Sequence, residues 1–197
     1  MNKEYKNMSY EEFLKYMDKL CAGLQKYIND NKIKIDYICP ILRGGAVPAV
    51  YISQKLNIVK FLPIQAKHIT YKNGEEKIDI IFNPLDSVEI KKEEPIFLVV
   101  EGMHATGTSA KMCIDEIKNR YKNAKILYVC LAKHYGSMDF KDITVYENPA
   151  FYCNGDNEFS KEKCEELGIE YLYPIFPWEN LKMELEHPDD LEDNIFF

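Results

Sequence analysis

Apolar positions change their period along the chain, and the changes mark out alternating helices and strands. Phe13, Met17, Leu20, Leu24 and Ile28 recur at helical spacing behind Ser9 and Glu12, which form an S-x-x-E capping box, so an amphipathic N-terminal helix is predicted. "KIDYICPIL" (34–42) is an apolar run of strand length and reads as a buried strand. "RGG" then turns the chain into "AVPAVYISQKLN", a helix that tolerates Pro48 in its first turn. "IVKFLPIQA" (58–66) predicts the next strand. Strand, short loop, helix, strand is a βαβ unit, which calls for parallel pairing and a right-handed crossover.

Residues 67–94 break this rhythm. They are polar and charged, with Asn73-Gly74 between two β-capable runs, and they predict a hairpin or a flexible flap. "PIFLVVE" (95–101) resumes the core as a continuous apolar strand, followed by a loop, the helix "TSAKMCIDEIKNRY" and the strand "KILYVCLAK" (125–133). A second βαβ unit makes the class α/β, a mainly parallel twisted sheet flanked by helices. The C-terminal third shows short strands ("ITVY", "EYLYPIF"), a small helix "SKEKCEELG" stopped by Gly168, and an acidic tail over about 180–197.

Composition narrows the function without naming it. A chain of 197 residues with 46% hydrophobic and 29% charged positions has the makings of one globular domain spanning 1–197. A net charge of −7 argues against a sequence-independent nucleic-acid binder, which needs a basic face. The six cysteines form no C-x-x-C pair, and Cys39, Cys113 and Cys130 sit among apolar neighbours as structural thiols. Without an N-terminal apolar stretch or an 18-residue apolar run, a cytoplasmic protein with no membrane association is expected.

The chemistry gathers where strands end. In parallel α/β sheets, ligands collect beyond the carboxyl ends of the strands, and two loops here leave strand ends and open helices. One is Arg43-Gly44-Gly45. The other lies in "VVEGMHATGTSA" (99–110), where Thr106, Thr108 and Ser109 add hydroxyls to backbone N–H groups and Gly107 permits close approach. A helix-capping role for the same residues is the alternative. From Gly102 to Ser109 the stretch nearly matches a Walker A loop, but Thr108 stands where the lysine belongs, and a triphosphate would lack its positive charge.

Strand–"LRGG"–helix, a flap, and strand–"EGMHATGTS"–helix resemble a type I phosphoribosyltransferase, and Lys133 with "YPIFPWE" (173–179) resembles its purine-using branch. The resemblance spans roughly 34–179. It implies transfer of a phosphoribosyl group from phosphoribosyl pyrophosphate to a 6-oxopurine, with magnesium as cofactor and a homodimer as the assembly. Thr106, Gly107, Thr108 and Ser109 would hold the 5′-phosphate, Arg43, Gly44 and Gly45 the pyrophosphate, and Glu101 the ribose hydroxyls. Glu101 would be a metal-linked acid, and Glu179 either helps to hold a second metal ion or is a surface glutamate. Thr70-Tyr71 would lie on the flexible catalytic loop, and the peptide Leu42–Arg43 would be cis. Lys133 and Tyr173 would bind the base within a hood over about 134–179, with Trp178 as a packing residue.

The sequence departs from that family pattern in two places. Gly102 replaces the second acid of the pair, and Ala105 replaces the acid that assists proton transfer at the purine. His104 is then a candidate proton acceptor, against a solvent-facing or structural histidine, and His134 is read as an exposed strand-end histidine. A nucleotide-binding regulator on the same fold, or an enzyme using an altered sugar donor, are the competing expectations.

Overall fold

In the computed structural model the described residues are 5–70, 76–134, 137–138, 140, 144–147, 151–152, 165–166 and 173–180. Helix α1 (Tyr10–Asp30) begins at the predicted capping box: Ser9 Oγ accepts from the Glu12 N–H at 3.2 Å, and Glu12 accepts from the Ser9 N–H at 2.9 Å. The reciprocal pair satisfies two N–H groups that the helix itself leaves open. Phe13, Met17, Leu20 and Leu24 are buried, as their spacing requires.

Strand β2 (Tyr37–Leu42), helix α2 (Ala46–Leu56) and strand β3 (Ile64–Thr70) form the first βαβ unit. The third element differs from the expected 58–66. Ile38 N–H donates to the Lys60 carbonyl and Leu62 N–H to the Ile38 carbonyl, both at 2.9 Å, so 58–62 makes only an isolated bridge to β2. Pro63 has no N–H with which to continue the ladder, and regular pairing starts after it. β3 then turns back antiparallel onto β4 (Glu76–Phe82), with Thr70 opposite Glu76. These are the strands of the predicted hairpin; Tyr71 and Asn73-Gly74 between them lie outside the described residues.

The second half of the expected flap is fixed to the core. Leu85 is fully buried, and the Tyr121 hydroxyl lies 3.2 Å from the Leu85 carbonyl and 2.9 Å from that of Val88. Asn83 donates to Glu116 at 2.8 Å. Polar composition suggested mobility here, but its polar groups are satisfied by helix α3 (Thr108–Arg120) and by Tyr121 just beyond it.

Strand β5 (Ile96–His104) runs three residues past Glu101 before α3, and β6 (Lys125–His134) lies parallel beside it. Strands β7 (Thr144–Glu147) and β8 (Phe151–Tyr152) pair with β6, giving a seven-stranded sheet of order β4-β3-β2-β5-β6-β7 with β8 beyond β7 along β6. Among these pairs only β3–β4 is antiparallel.

Each face of the sheet carries its own core. Leu98, Val100, Leu127 and Val129 pack with α1 and α2, and Phe97, Val99, Tyr128 and Cys130 pack with α3. A doubly covered strand is apolar on both sides, which is why β5 and β6 read as continuous runs. Cys39, Cys113 and Cys130 are buried, and burial raises the thiols of Cys39 and Cys113 well above their usual range, that of Cys113 to about 12.

One element has no counterpart in the sequence pattern. β1 (Tyr5–Asn7) pairs in parallel with β9 (Tyr173–Ile175), and Met8 N–H donates to the Ile175 carbonyl at 2.8 Å. This small sheet brings Phe176 and Trp178 onto α1, with Trp178 stacked on Phe176 at 5.1 Å and edge-on to Phe13 at 4.9 Å. Trp178 is the packing residue it was expected to be. Of the small C-terminal helix only 165–166 is described, and it is helical; Cys153, Cys164 and the acidic tail beyond 180 lie outside the described residues.

Removing the α1 cap tests this account of the N-terminal helix. Ser9→Ala is expected to lower stability by about 1 kcal/mol, read as a lower urea midpoint with unchanged slope, while Ser9→Asp stays near wild type.

Candidate functional site

The ends of β2, β5 and β6 lie side by side, so the loops that leave them meet. Arg43-Gly44-Gly45 leaves β2, Ala105-Thr106-Gly107 leaves β5, and Lys133 closes β6. The Leu42–Arg43 peptide is cis, as the family resemblance implied. Gly45 N–H donates to the Ile41 carbonyl at 2.8 Å and Ala46 N–H to the Arg43 carbonyl at 3.0 Å, which winds the loop directly into α2. A Cβ on Gly45 would lie 2.2 Å from the Val100 carbonyl oxygen, so only glycine fits. Arg43 is exposed at the head of this loop.

The loop after β2 touches the end of β5 backbone to backbone. A Cβ on Gly102 would sit 2.7 Å from the Gly44 carbonyl oxygen and 3.0 Å from its carbon. The missing second acid therefore has a steric reason: the peptide of Gly44 occupies the space that any side chain at 102 would need. Sequence comparison with the family pattern exposes the substitution but not its cause.

The loop after β5 is built around Gly107, which has φ +87° and caps α3 without a side-chain hydrogen bond. Thr106 Oγ1 lies 3.0 Å from Thr108 Oγ1 and 3.3 Å from the Thr108 N–H. Thr106 is exposed, and Thr108 and Ser109 are partly so. Hydroxyls and first-turn N–H groups on an open helix start suit an anion such as a phosphate.

Below the loop lies a polar group that the sequence did not reveal. Glu101 is turned inward: its side chain is 12% exposed and its Oε2 meets the Tyr128 hydroxyl. The same hydroxyl is 2.8 Å from His104 Nδ1, and His104 Nε2 is 2.9 Å from the Met138 carbonyl. A carbonyl only accepts, so Nε2 carries a hydrogen. Two arrangements then satisfy every partner. Either a protonated Glu101 donates to Tyr128, which donates to a neutral His104, or an imidazolium donates to Tyr128, which donates to a Glu101 carboxylate. Burial pushes the Glu101 carboxyl up to about 7, against the lowering effect of the Tyr128 hydrogen bond.

His104, at 2% exposed, has both ring nitrogens engaged and lies beneath Gly107. Lys133 is buried at 8% and pairs in register with His104. His134, expected at an exposed strand end, is buried too, because β8 pairs alongside Lys133 and His134. Glu179 accepts from the Phe176 N–H at 2.8 Å and so closes a turn. Tyr173 is placed by its backbone, opposite Tyr5 in the small sheet, while its side chain lies outside the described residues.

Tyr128 is the residue that sequence reasoning passed over. It faces Val99 across the ladder, and Glu101 faces Cys130, so period two puts Tyr128 diagonally beside Glu101 on one sheet face. The pairing register was the missing signal. Among the described residues no three His, Cys, Asp or Glu side chains gather as a metal site, and no helix is long and apolar enough to cross a membrane.

Two outcomes follow from this geometry. Gly102→Ala is expected to displace Gly44 and weaken phosphoribosyl pyrophosphate binding by about tenfold or more, measured by calorimetry on protein whose circular dichroism is unchanged. For Glu101, a folded pKa near 7 lies above the ordinary 4.5, so its protonated form favours the fold. That contribution is complete below about 4.5 and is lost as pH rises through 7. Glu101→Gln removes the titration, so melting curves should show wild type losing stability relative to the variant across that window.

Residues 9–158 match the family model for the phosphoribosyl transferase domain. No curated protein matches the sequence. Among solved structures, the chain is similar to a purine phosphoribosyltransferase from Pyrococcus horikoshii Ot3 (TM-score 0.60, 22% identity, covering 90% of this chain and 95% of that one). It is also similar to a Helicobacter pylori xanthine-guanine-hypoxanthine phosphoribosyltransferase (0.58, 17%, 93% and 99%). A hypothetical protein from Neisseria gonorrhoeae with bound ppGpp overlays at TM-score 0.69 with 15% identity, over 96% of this chain and 97% of that one. With a family match over most of its length and the glycine loops of β2 and β5 in register, the chain belongs to the phosphoribosyltransferase family and has the type I fold.

Proposed function

We propose that this protein transfers the phosphoribosyl group of phosphoribosyl pyrophosphate to a 6-oxopurine, releasing pyrophosphate and a nucleoside monophosphate. The observation that carries the reading is the contact of the glycine loop after β2 with the end of β5 that leads into the second loop, Gly44 against Gly102, with Lys133 closing the next strand. The C1′–oxygen bond to pyrophosphate breaks, a ring nitrogen of the base bonds to C1′, and that nitrogen's proton leaves. Positive charge develops at the sugar and negative charge on the leaving group.

In this reading Thr106, Gly107, Thr108 and Ser109 hold the 5′-phosphate, and Arg43 with the Gly44 and Gly45 backbone holds the pyrophosphate. Lys133 reads the exocyclic oxygen of the base, and Tyr173 stacks on it. The hairpin bearing Tyr71 closes over the reacting centre and excludes water, which would otherwise hydrolyse the donor. Magnesium belongs to the reading as the ion that would offset negative charge on the leaving pyrophosphate; of the two acids expected to hold it, Glu101 meets the Tyr128 hydroxyl and Glu179 accepts from the Phe176 N–H. A cytoplasmic homodimer is part of the same reading.

A second reading has its own support. The Neisseria gonorrhoeae protein that overlays most of the chain has ppGpp bound. In this chain Glu101 faces Tyr128 and Gly102 has no room for an acid. A nucleotide-binding regulator on this fold would need the phosphate loops without the carboxylates.

Product analysis by mass spectrometry separates the two. The protein is incubated with phosphoribosyl pyrophosphate, magnesium and, separately, hypoxanthine, guanine, xanthine or adenine. A nucleoside monophosphate is expected from a 6-oxopurine, and Lys133→Ala is expected to lower kcat/KM for that base roughly 10- to 100-fold. Product from adenine alone would overturn the assignment of the base. No product from folded protein, together with tight binding of ppGpp, would establish the regulator.

A further inference from the structure

We infer that His104 is a positioning residue which holds the phosphate loop and the segment after β6 together as one unit. The inference rests on the phosphate-loop reading for its consequence, but the tie itself stands on geometry. His104 ends β5, and its ring lies directly beneath Gly107: a Cβ on Gly107 would meet Nε2 at 2.8 Å and Cε1 at 2.9 Å. The glycine that gives the loop its left-handed turn is therefore also the one that makes room for this ring.

From that position the ring reaches across to the neighbouring segment. Nε2 donates to the Met138 carbonyl at 2.9 Å, and Met138 N–H donates to the Thr106 carbonyl at 3.3 Å. One residue is thus held from both sides, by the ring below the loop and by the loop backbone itself. The Met138 Cβ also lies 3.2 Å from where a Gly107 Cβ would be, so the two chains are in contact at the turn.

The opposite edge of the ring is anchored in the sheet. Nδ1 meets the Tyr128 hydroxyl at 2.8 Å, which fixes the ring plane. Phe140 packs edge-on against both rings, 5.4 Å from His104 and 5.2 Å from Tyr128. With both nitrogens satisfied and 2% exposure, the imidazole cannot rotate without losing two hydrogen bonds in a buried place. A loop that is to receive a phosphate is thereby held in its receiving form before the ligand arrives.

Two variants separate this tie from simple packing. His104→Phe keeps an aromatic ring but can make neither hydrogen bond. His104→Gln offers one donor for Met138 and one acceptor for Tyr128. In the absence of ligand, amides around Met138 are expected to exchange about tenfold faster in His104→Phe than in wild type, and within about threefold of wild type in His104→Gln. With substrates, His104→Phe should raise KM for phosphoribosyl pyrophosphate about tenfold with kcat changed less, and His104→Gln should restore it. Wild-type exchange at Met138 in the Phe variant would overturn the inference, as would a folded Gln variant that restores nothing. If wild type turns over no base, the proposed transfer fails, and the ligand-free exchange still decides for or against the tie.

Discussion

The contact between Gly44 and Gly102 is the constraint on which the rest of the site depends. The loop that leaves β2 packs its Gly44 peptide onto Gly102 near the end of β5, at a separation that excludes a single Cβ. Such an approach is possible only because β2 and β5 are parallel neighbours whose C-terminal ends point the same way. Gly45, closed against the Val100 carbonyl, holds the first loop down on the same strand. The candidate pyrophosphate and phosphate loops thus form one backbone framework rather than two independent grips.

That framework also explains what the site lacks. A type I phosphoribosyltransferase is expected to present a pair of acids at the end of the strand that becomes β5. Here the second position is filled by the Gly44 peptide, and the first acid, Glu101, is drawn inward by the Tyr128 hydroxyl. Taking a carboxyl out of water raises its pKa, and a hydroxyl partner offsets only part of that cost. The outcome is a buried, hydrogen-bonded group under the loop in place of an open carboxylate pair above it. His104 belongs to this lower layer, its ring nitrogens engaged by Tyr128 and Met138.

Much of the fold was legible because it follows from local period and from turn chemistry. The capping box located the start of α1, the switch from continuous apolar runs to helical spacing located both βαβ units, and Asn73-Gly74 marked a hairpin whose strands do pair antiparallel. The misreadings have equally specific causes. Pro63 carries no N–H, so the strand expected from 58 begins at Ile64. Residues 83–88 look mobile by composition, but Tyr121 and Glu116 satisfy their polar groups from a part of the chain some thirty residues away. β1 is three polar-leaning residues whose partner, β9, lies at the other end of the described chain.

The sequence by itself determined the alternation of strands and helices, the two glycine loops at strand ends and the hydroxyl-rich start of α3. Each of these is set by neighbours within a turn or two of the chain: side-chain period, φ/ψ freedom and helix-end hydrogen bonding are local quantities. Only the tertiary structure decided that Gly102 faces Gly44, that Glu101 turns to Tyr128, and that His104 reaches Met138. Those contacts join residues 27 to 58 positions apart, and they arise from strand order and register, which no local pattern encodes.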